Sequence, residues 1–595
     1  MSGLQFTEVM RGHLLNRPSS FAWGAQAARA AGDALAMTLT LTIRIPDLDR
    51  FLDDPRHEAE VTGTVRTLLL GGELDVRCGR VRLLAPTGDH NRRVMRYRLL
   101  VQDAQGQAWT VRGTKEVTNN LGLDLWRDTT TLRTNLYRGD VAEEDEAHAA
   151  LAGSGILRLT VGAFLRQLTT FRADGPSGLA GLAVIARFMG FFLGTLLRVS
   201  ASRFGIRPLQ LPQRPYALFS LQGVLGPPPA THYVETKDGL TLSLLHYARG
   251  GTGDVVLLVP GLCTSSDMFI MPEHLNLVEY LLAQGFQDVF VLDGRISTRY
   301  PHNLQRHDWS VDDVALDNLA AVARIRTLVG EARKLHVVGH SLGALSVSMM
   351  MAHTGGAGIA SAVVNGAGLV PHGNRFSTLK LLFGPDLFEG LLGVDYFNPR
   401  WGHQTAGKLP RLMARLISIG HTECDVPACH LLSFQWGAGR PVLYRHENLL
   451  PDTHARIGDL FGGASFGYHR HVRDMIRAGG RAVKRTPVAP RHADLPADYL
   501  DRATAIRTPM LLVAGQENAL MQDANVRFFE VLRRVPAVPH ELLVVPGYGH
   551  CDIFMGKDVH RDIFPRLVAF LRRHGEPPLP GGGGPPAAAL PPVTA

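Results

Sequence analysis

One serine in this chain lies between two glycines in a setting that suits a nucleophile. Gly339-His-Ser-Leu-Gly343 follows an apolar run at residues 335–338 and precedes a helix-forming run of Ala, Leu and Met. A serine on such a strand-to-helix turn takes strained backbone geometry and brings its flanking residues together, which glycine allows. The helix N-terminus beside it can stabilise negative charge. The pattern predicts Ser341 as the nucleophile of an acyl transfer, with Gly339 and Gly343 forming the nucleophile elbow.

A second Gly-x-Ser-x-Gly match surrounds Ser465, at Gly463-Ala-Ser-Phe-Gly467. The residues before it are too few and too rich in glycine for a central strand. We predict a loop there, without chemistry at the serine.

A serine hydroxyl becomes a good nucleophile only when a base takes its proton and donors hold the oxyanion. His550 stands after the last predicted strand in Gly547-Tyr-Gly-His-Cys-Asp, where two glycines allow a loop to carry an imidazole over the sheet. An earlier strand ends in Pro260-Gly-Leu. These positions predict His550 as the base and the N–H groups of Leu262 and Leu342 as the oxyanion hole.

Cys424 and Cys429, followed by His430, have the residue types of a metal site. The four residues between them are the upper limit of the usual spacing of zinc ligands, and the sequence shows no second pair of ligands to complete a site. We predict two buried thiols and no metal ligands.

The elements that must position these residues lie between residues 231 and 575. Short apolar strands alternate there with helical segments, which predicts an α/β fold with a parallel sheet covered by helices. The alternation stops at about residues 369–505, a stretch rich in aromatic residues, His and Gly, which we predict to be a cap inserted over the strand ends. Residues 576–595, rich in Pro, Gly and Ala, are predicted to be a disordered tail.

Residues 1–145 alternate apolar and polar positions in short runs separated by turns, which predicts a small β-rich domain. Residues 146–230 follow as a helical apolar segment and a Pro-rich linker. Within them, the stretch from Leu179 to Leu197 carries one charge, Arg187. Its length suffices for a bilayer, but a central arginine costs about 2.5–3.5 kcal/mol on insertion scales. We therefore favour a helix packed on protein or lying at a membrane interface.

The strand pattern, Gly-His-Ser-Leu-Gly around Ser341 and Tyr-Gly-His-Cys-Asp around His550 resemble the α/β-hydrolase family, with the closest likeness to lipases that carry a large cap. The resemblance covers residues 231–573. It implies hydrolysis of carboxylic esters through an acyl-serine intermediate, without metal or organic cofactor. Pro260-Gly replaces the commoner His-Gly before the oxyanion hole, a change that backbone donors tolerate.

Phe6-Thr-Glu-Val-Met-Arg-Gly and Trp126-Arg-Asp-Thr-Thr-Thr-Leu resemble a segment found with bacterial sterol oxidases of the glucose-methanol-choline type. The flavin-binding fingerprint of those oxidases is absent from this sequence. This second resemblance therefore implies a lipid or sterol context and no oxidase.

The acid that should orient the base departs from the family pattern. Where the family has Asp after Gly-x-x, this chain reads Gly515-Gln-Glu517-Asn518. We predict Glu517 as the third catalytic member, because its longer side chain can reach an imidazole from a retracted backbone. Asn518 holds the usual acid position and Asp523 is a further candidate. Asn365 leaves the alternative position used by some lipases without a carboxylate.

The formal net charge of +8 is spread over 595 residues without a basic arm, so nothing indicates nucleic-acid binding. Five cysteines in so long a chain, and no apolar signal core near the N-terminus, predict a cytoplasmic protein. If the segment from Leu179 to Leu197 lies at a membrane interface and is not packed on protein, it provides a peripheral membrane contact. Three functions fit: a serine hydrolase of lipid or sterol esters, which we favour, an acyltransferase, and a non-catalytic lipid-binding scaffold. The scaffold stays open because the usual acid is missing.

Overall fold

The computed structural model describes residues 3–87, 92–118, 125–174, 178–201, 223–393, 395–402, 408–421, 423–436, 443–535 and 537–575. The predicted C-terminal tail and most of the Pro-rich linker lie outside the described residues. The N-terminal strands are β1 (Gly3–Leu15), β2 (Ala36–Ile45), β3 (Glu58–Thr67), β4 (Gly72–Asp75), β5 (Cys78–Pro86), β6 (Arg92–Gln102), β7 (Ala108–Thr118), β8 (Thr131–Arg138), β9 (Leu151–Arg158) and β10 (Arg172–Asp174). The helices among them are α1 (Phe21–Ala30), α2 (Leu48–Asp53), α3 (Leu125–Thr130), α4 (Val161–Leu168) and α5 (Gly178–Ala201).

The N-terminal strands form a closed antiparallel barrel. They pair in the order β1-β2-β3-β5-β6-β7-β8-β9, and β9 pairs back onto β1, while β4 and β10 extend the edges of β3 and β1. Alternation along β2 shows how the sequence builds this barrel, because Met37, Leu39, Leu41 and Ile43 are buried and the threonines between them face outward. Closure leaves the barrel without a free long edge.

The boundary predicted at residue 145 is too early, because β9 and β10 belong to the barrel sheet. Strand β9 reads Leu-Ala-Gly-Ser-Gly-Ile-Leu-Arg and lacks a clear alternation. Its glycines are required by close backbone approach: a Cβ at Gly155 would lie 2.1 Å from the His13 carbonyl oxygen, and one at Gly153 would lie 2.5 Å from that of Leu15. The glycine-rich composition makes this strand hard to predict from the sequence, and the same glycines allow the close approach to β1 that closes the barrel.

Helix α5 contains the apolar stretch from Leu179 to Leu197 and packs one face on the barrel. Phe188 is 1% exposed, and its ring centroid lies 5.8 Å from that of Phe6 and 6.0 Å from that of Phe171. Gly178–Val199 is the one described helix long and apolar enough to cross a membrane, a property of length and composition alone. Its outer face exposes several leucines: Leu179, Leu182, Leu193 and Leu197.

The second sheet has eight strands in the order β11-β12-β14-β13-β15-β16-β19-β20, parallel from β14 onward. Its strands and the short pair in the cap are β11 (Ala230–Glu235), β12 (Thr241–Ala248), β13 (Val255–Val259), β14 (Asp288–Asp293), β15 (Leu335–His340), β16 (Ser361–Asn365), β17 (Tyr396–Phe397), β18 (Ala464–Ser465), β19 (Met510–Gly515) and β20 (Glu541–Val545).

Helices cover this sheet and build the segment inserted between β16 and β19. Strands β13 to β16 are buried along their whole length, as expected for a parallel sheet covered on both faces. The helices are α6 (Leu277–Ala283), α7 (Val311–Val329), α8 (Leu342–Thr354), α9 (Arg375–Leu392), α10 (Lys408–Ile419), α11 (Pro427–Trp436), α12 (Pro451–Ala455), α13 (Ile457–Leu460), α14 (Phe466–Arg477), α15 (Ala524–Leu532), α16 (Asp552–Met555), α17 (Val559–Asp562) and α18 (Phe564–Arg573).

The barrel docks on the hydrolase-like sheet through the loop that follows β19. The side-chain amide of Gln516 pairs with that of Asn135, at 2.8 Å in both directions, and donates to Ser154 at 3.1 Å. Beside it lies an interdomain ion cluster of alternating charge. Its members are Arg92, Glu116 and Arg133 of the barrel and Arg445, Glu447 and Glu517 of the other domain.

Candidate active site

Ser341 stands on the turn between β15 and α8, with φ 53° and ψ −122°. A positive φ is rare for a residue with a side chain, and it is stable here only because the surrounding backbone packs closely. A Cβ at Gly339 would lie 2.9 Å from Ala344 Cα, and a Cβ at Gly343 would lie 2.3 Å from the Pro260 carbonyl oxygen. Both elbow glycines are therefore required by the packing.

The structure brings Ser341 and His550 together. His550 Nε2 lies 2.8 Å from Ser341 Oγ, on the loop that follows β20. The Leu443 carbonyl accepts hydrogen bonds from the backbone N–H groups of His550, at 3.1 Å, and Cys551, at 2.7 Å. Burial lowers the pKa of His550 to about 4, so the imidazole is neutral at physiological pH and able to accept the serine proton.

The predicted oxyanion residues lie at the same place. Leu262 and Leu342 line the cleft that contains Ser341 and His550. A Cβ at Gly261 would lie 2.9 Å from Ser341 Cβ, so the loop after β13 passes directly against the elbow. This arrangement brings the backbone of both predicted donors next to the serine.

The cleft is mainly apolar and encloses about 730 Å³, counting its opening to solvent. Cap residues form one wall and the strand ends form the floor. The apolar side chains around the serine and histidine include Leu345, Leu381, Trp436, Leu443, Phe461, Val472, Leu520 and Met521.

None of the predicted acids contacts His550, and Glu517 does not take the role predicted for it. Glu517 faces the interdomain ion cluster, 3.3 Å from Arg133 and 3.4 Å from Arg445. Burial raises its pKa, and Arg133 only partly offsets that effect. The loop turns Glu517 away from the cleft because its backbone N–H is bonded to the Tyr548 carbonyl, at 2.9 Å.

The other two candidates are also engaged elsewhere. Asn518 Oδ1 accepts the N–H groups of Leu520, at 3.0 Å, and Met521, at 3.1 Å. Asp523 accepts a hydrogen bond from Ser20 Oγ of the barrel. Within the described parts of the chain, the buried Nδ1 of His550 has no hydrogen-bond partner. Among the described residues, the observed pair is therefore a serine and a histidine without an orienting carboxylate.

Asn365 and Asp552, neither of which was predicted as a catalytic residue, hold the His550 loop. Asn365 Nδ2 donates to His340 Nδ1, at 2.9 Å, and to the His550 carbonyl, at 3.2 Å. Asp552 accepts the Gly549 N–H at 2.8 Å, and burial raises the pKa of Asp552 to about 7. The signal for Asp552 was present in Tyr-Gly-His-Cys-Asp, two residues beyond the histidine.

Ser465, the serine of the second glycine motif, is a helix cap. The predicted loop is instead a short strand that leads into α14, and Ser465 has φ −63°. Its Oγ accepts the Gly467 N–H at 3.1 Å. The unstrained backbone and the occupied oxygen distinguish it from Ser341.

Side chains of metal-ligand type converge at two places among the described residues. His340, His550 and Cys551 form the first group, which belongs to the cleft, and His340 Nε2 lies 3.5 Å from Cys551 Sγ. The second group, in the cap, joins the two predicted thiols Cys424 and Cys429 to His446 and His454.

Comparison with known proteins agrees with this architecture. The sequence model of the Alpha/beta hydrolase family matches residues 256–561, just over half of the chain. Triacylglycerol lipase 1 of Arabidopsis thaliana is 23% identical over 366 residues, which cover 57% of this chain and 86% of the relative. Among solved structures, a monoacylglycerol lipase of Paleococcus ferrophilus has 16% identity and a TM-score of 0.35, covering 56% of this chain and 100% of that one.

An esterase of Pyrococcus furiosus also has 16% identity, with a TM-score of 0.31, and covers 58% of this chain and 92% of its own. The family match extends from β13 to α17 and includes both Ser341 and His550. This chain belongs to the alpha/beta hydrolase family.

Proposed function

We propose that the protein is a serine hydrolase of lipid-like carboxylic esters. The observation that carries the proposal is the 2.8 Å contact between Ser341 Oγ and His550 Nε2 at the floor of an apolar cleft. Ser341 Oγ attacks the ester carbonyl carbon while His550 Nε2 takes the hydroxyl proton. The resulting oxyanion is held by the N–H groups of Leu262 and Leu342.

The tetrahedral intermediate then collapses and the ester C–O bond breaks. His550 returns its proton to the departing alkoxide, which leaves as an alcohol, and Ser341 remains acylated. Water enters next, loses a proton to His550 Nε2 and attacks the acyl carbon. His550 returns this proton to Ser341 Oγ as the acid is released. The same imidazole therefore accepts and donates the proton in both halves of the reaction.

The unpartnered Nδ1 of His550 predicts a slow enzyme. In a Ser-His-Asp triad the carboxylate fixes the tautomer and stabilises the imidazolium, and loss of that charge costs about 10⁴ in kcat. No carboxylate among the described residues supplies this charge at His550. We therefore expect Ser341 acylation to be detectable but turnover to be well below that of a complete triad.

Exposed apolar side chains support a lipid-like substrate. Helix α9 exposes Leu379, Phe383, Leu387 and Leu391 at four-residue intervals, so they share one side of the helix. Helix α10 exposes Leu412, Leu416 and Ile419 in the same way. Apolar faces of this kind are typical of contact with lipid. The lipase relative and the sterol-oxidase-like motif of the barrel favour an acyl ester of a lipid alcohol or sterol.

The test is labelling with a fluorophosphonate probe, followed by mass spectrometry and by assay of an aryl ester. We expect label on Ser341 and about a hundredfold loss of rate in Ser341→Ala, because the nucleophile is removed from a site that already lacks the contribution of the carboxylate. His550→Ala should be as damaging, and the double variant no worse. Ser465→Ala is the matched control and should keep both label and rate. Label on Ser465 would overturn the assignment of the nucleophile, and no label on the folded wild type would favour the non-catalytic scaffold.

The pH dependence of kcat/KM should reveal the environment of His550. Because burial lowers its pKa to about 4, the base remains unprotonated down to acidic pH. The rate should therefore rise with pH through about pH 4 and level off above it, whereas an unperturbed histidine would place this limb near pH 6.5. Initial rates must be measured with a check that the protein stays folded. A rise of kcat/KM centred near pH 7 would indicate that a carboxylate contacts Nδ1 of His550.

The Glu517→Gln variant tests whether Glu517 contributes to the docking of the barrel or to catalysis. We expect kcat within about threefold of wild type, because Glu517 does not touch His550. The free energy of unfolding should fall by about 1–3 kcal/mol, because Arg133 and Arg445 lose the negative charge of a buried partner. His550→Ala should show the opposite pattern, with the rate lost and stability kept. A hundredfold rate loss in Glu517→Gln at unchanged stability would restore Glu517 as the orienting acid.

Flotation with phosphatidylcholine and phosphatidylglycerol vesicles tests membrane contact by α5. We propose that its exposed leucines lie at a lipid surface, and Leu193→Glu with Leu197→Glu should then release the protein. Arg11→Glu, at an exposed position of the barrel, changes the net charge by the same two units and is the matched control. If neither the wild type nor the control floats, α5 is a packing helix only.

A further inference from the structure

Two cysteines and two histidines converge in the cap, away from the Ser341 cleft. The sulfur atoms of Cys424 and Cys429 and one ring nitrogen each of His446 and His454 all lie within 4.8 Å of one another. Cys424 precedes α11 and Cys429 stands in its first turn. His446 begins a short helical turn after α11, and His454 lies in α12. Three separate segments therefore supply side chains to a single point.

The distances suit a single tetrahedral ion. Zinc binds cysteine sulfur and histidine nitrogen at about 2.3 and 2.0–2.1 Å, so its tetrahedral ligands are about 3.3–3.8 Å apart. Cys429 Sγ and His446 Nε2 are 3.4 Å apart, within that range. The remaining pairs need to contract by no more than about 1.5 Å, the difference between the 4.8 Å limit and that range. Two thiolates and two imidazoles also match the softness of zinc better than that of magnesium or calcium.

A disulfide between Cys424 and Cys429 would not explain why His446 and His454 lie beside both sulfur atoms. Both cysteines are free thiols in the structure. His446 and His454 have ring centroids 4.3 Å apart and approach the same sulfur atoms. One ring nitrogen of each histidine lies close to both sulfur atoms, so a bound ion would be a common partner for all four side chains.

From this geometry we infer that Cys424, Cys429, His446 and His454 form a structural Zn²⁺ site. Four protein ligands complete a tetrahedron and leave no position for water or substrate, which is the arrangement of structural and not of catalytic zinc. The neighbouring His430 lies outside this group of converging side chains, and its Nε2 is bonded to the Cys424 carbonyl oxygen at 2.8 Å. That bond holds the backbone of Cys424 in place for coordination.

The position of the site gives the ion a role. It joins α11 to the segment of residues 443–448, whose Leu443 carbonyl accepts the N–H of His550. The same segment reaches the His550 loop at a second point, where Asn448 Nδ2 donates to Asp552 at 2.7 Å. A zinc ion there would fix the cap against the loop that carries the proposed base.

The test is zinc content and cobalt spectroscopy of the full chain, purified reduced and without chelator. Inductively coupled plasma mass spectrometry should find about one zinc per chain in the wild type. Cys424→Ser with Cys429→Ser should hold at least about tenfold less, since both thiolates are gone. Cys78→Ser, which removes an exposed thiol of the barrel, is the matched control and should keep its zinc.

Cobalt substitution keeps the proposal falsifiable if the double variant fails to fold. Cobalt-loaded wild type should show thiolate-to-cobalt charge transfer and the strong visible bands of tetrahedral cobalt, and a chelator should remove them and lower the melting temperature. Reduced, folded wild type that takes up no metal from excess zinc would overturn the proposal. A Cys424–Cys429 disulfide in active, metal-free protein, or weak octahedral cobalt bands, would also overturn it.

Discussion

The hydrogen bond between Ser341 Oγ and His550 Nε2 is the interaction on which the site depends, and it is held almost entirely by backbone. Ser341 is fixed by an elbow with φ 53° and ψ −122°, a sparsely populated conformation that costs about 1–3 kcal/mol and is imposed by close packing of the adjoining strand and helix. His550 is fixed by its own N–H, bonded to Leu443, and by its carbonyl, bonded to Asn365. In a triad a carboxylate at Nδ1 orients the ring. Here the loop orients it, but a loop supplies no charge to stabilise the imidazolium.

The reason for the missing acid lies in the architecture. The loop after β19, which presents the acid in related hydrolases, is occupied by the barrel. Gln516 makes an amide pair with Asn135, and Glu517 joins the interdomain ion cluster. Asn518, at the usual acid position, accepts hydrogen bonds from Leu520 and Met521 of its own loop, so among the described residues this loop has no carboxylate that turns toward His550. The docking of the barrel and the direction of Glu517 away from the cleft therefore depend on the same loop.

Much of the second domain could be predicted from the sequence, because its signals are local. The parallel sheet covered by helices follows from the alternation of short apolar strands and helical segments, and the strand, turn and helix around Ser341 follow from adjacent residues. Predictions failed where contacts are distant in sequence. The partner that draws Glu517 away from the cleft, Arg133, is 384 residues distant. The two histidines beside Cys424 and Cys429 could not be recognised as ligands from the sequence, because they follow α11 on two separate segments.

The segment of residues 443–448 contacts the His550 loop, the barrel and the cysteines of the proposed zinc site. Leu443 holds the His550 loop, while Arg445 and Glu447 join the barrel through the ion cluster. His446 faces the cysteines of α11, and Asn448 bonds Asp552. A rigid-body displacement of the whole cap would break the contacts of Leu443 and Asn448 and release the loop of the proposed base. The position of the cap and the geometry of Ser341 and His550 are therefore coupled, and the barrel stabilises both through Arg445 and Glu447 of this segment.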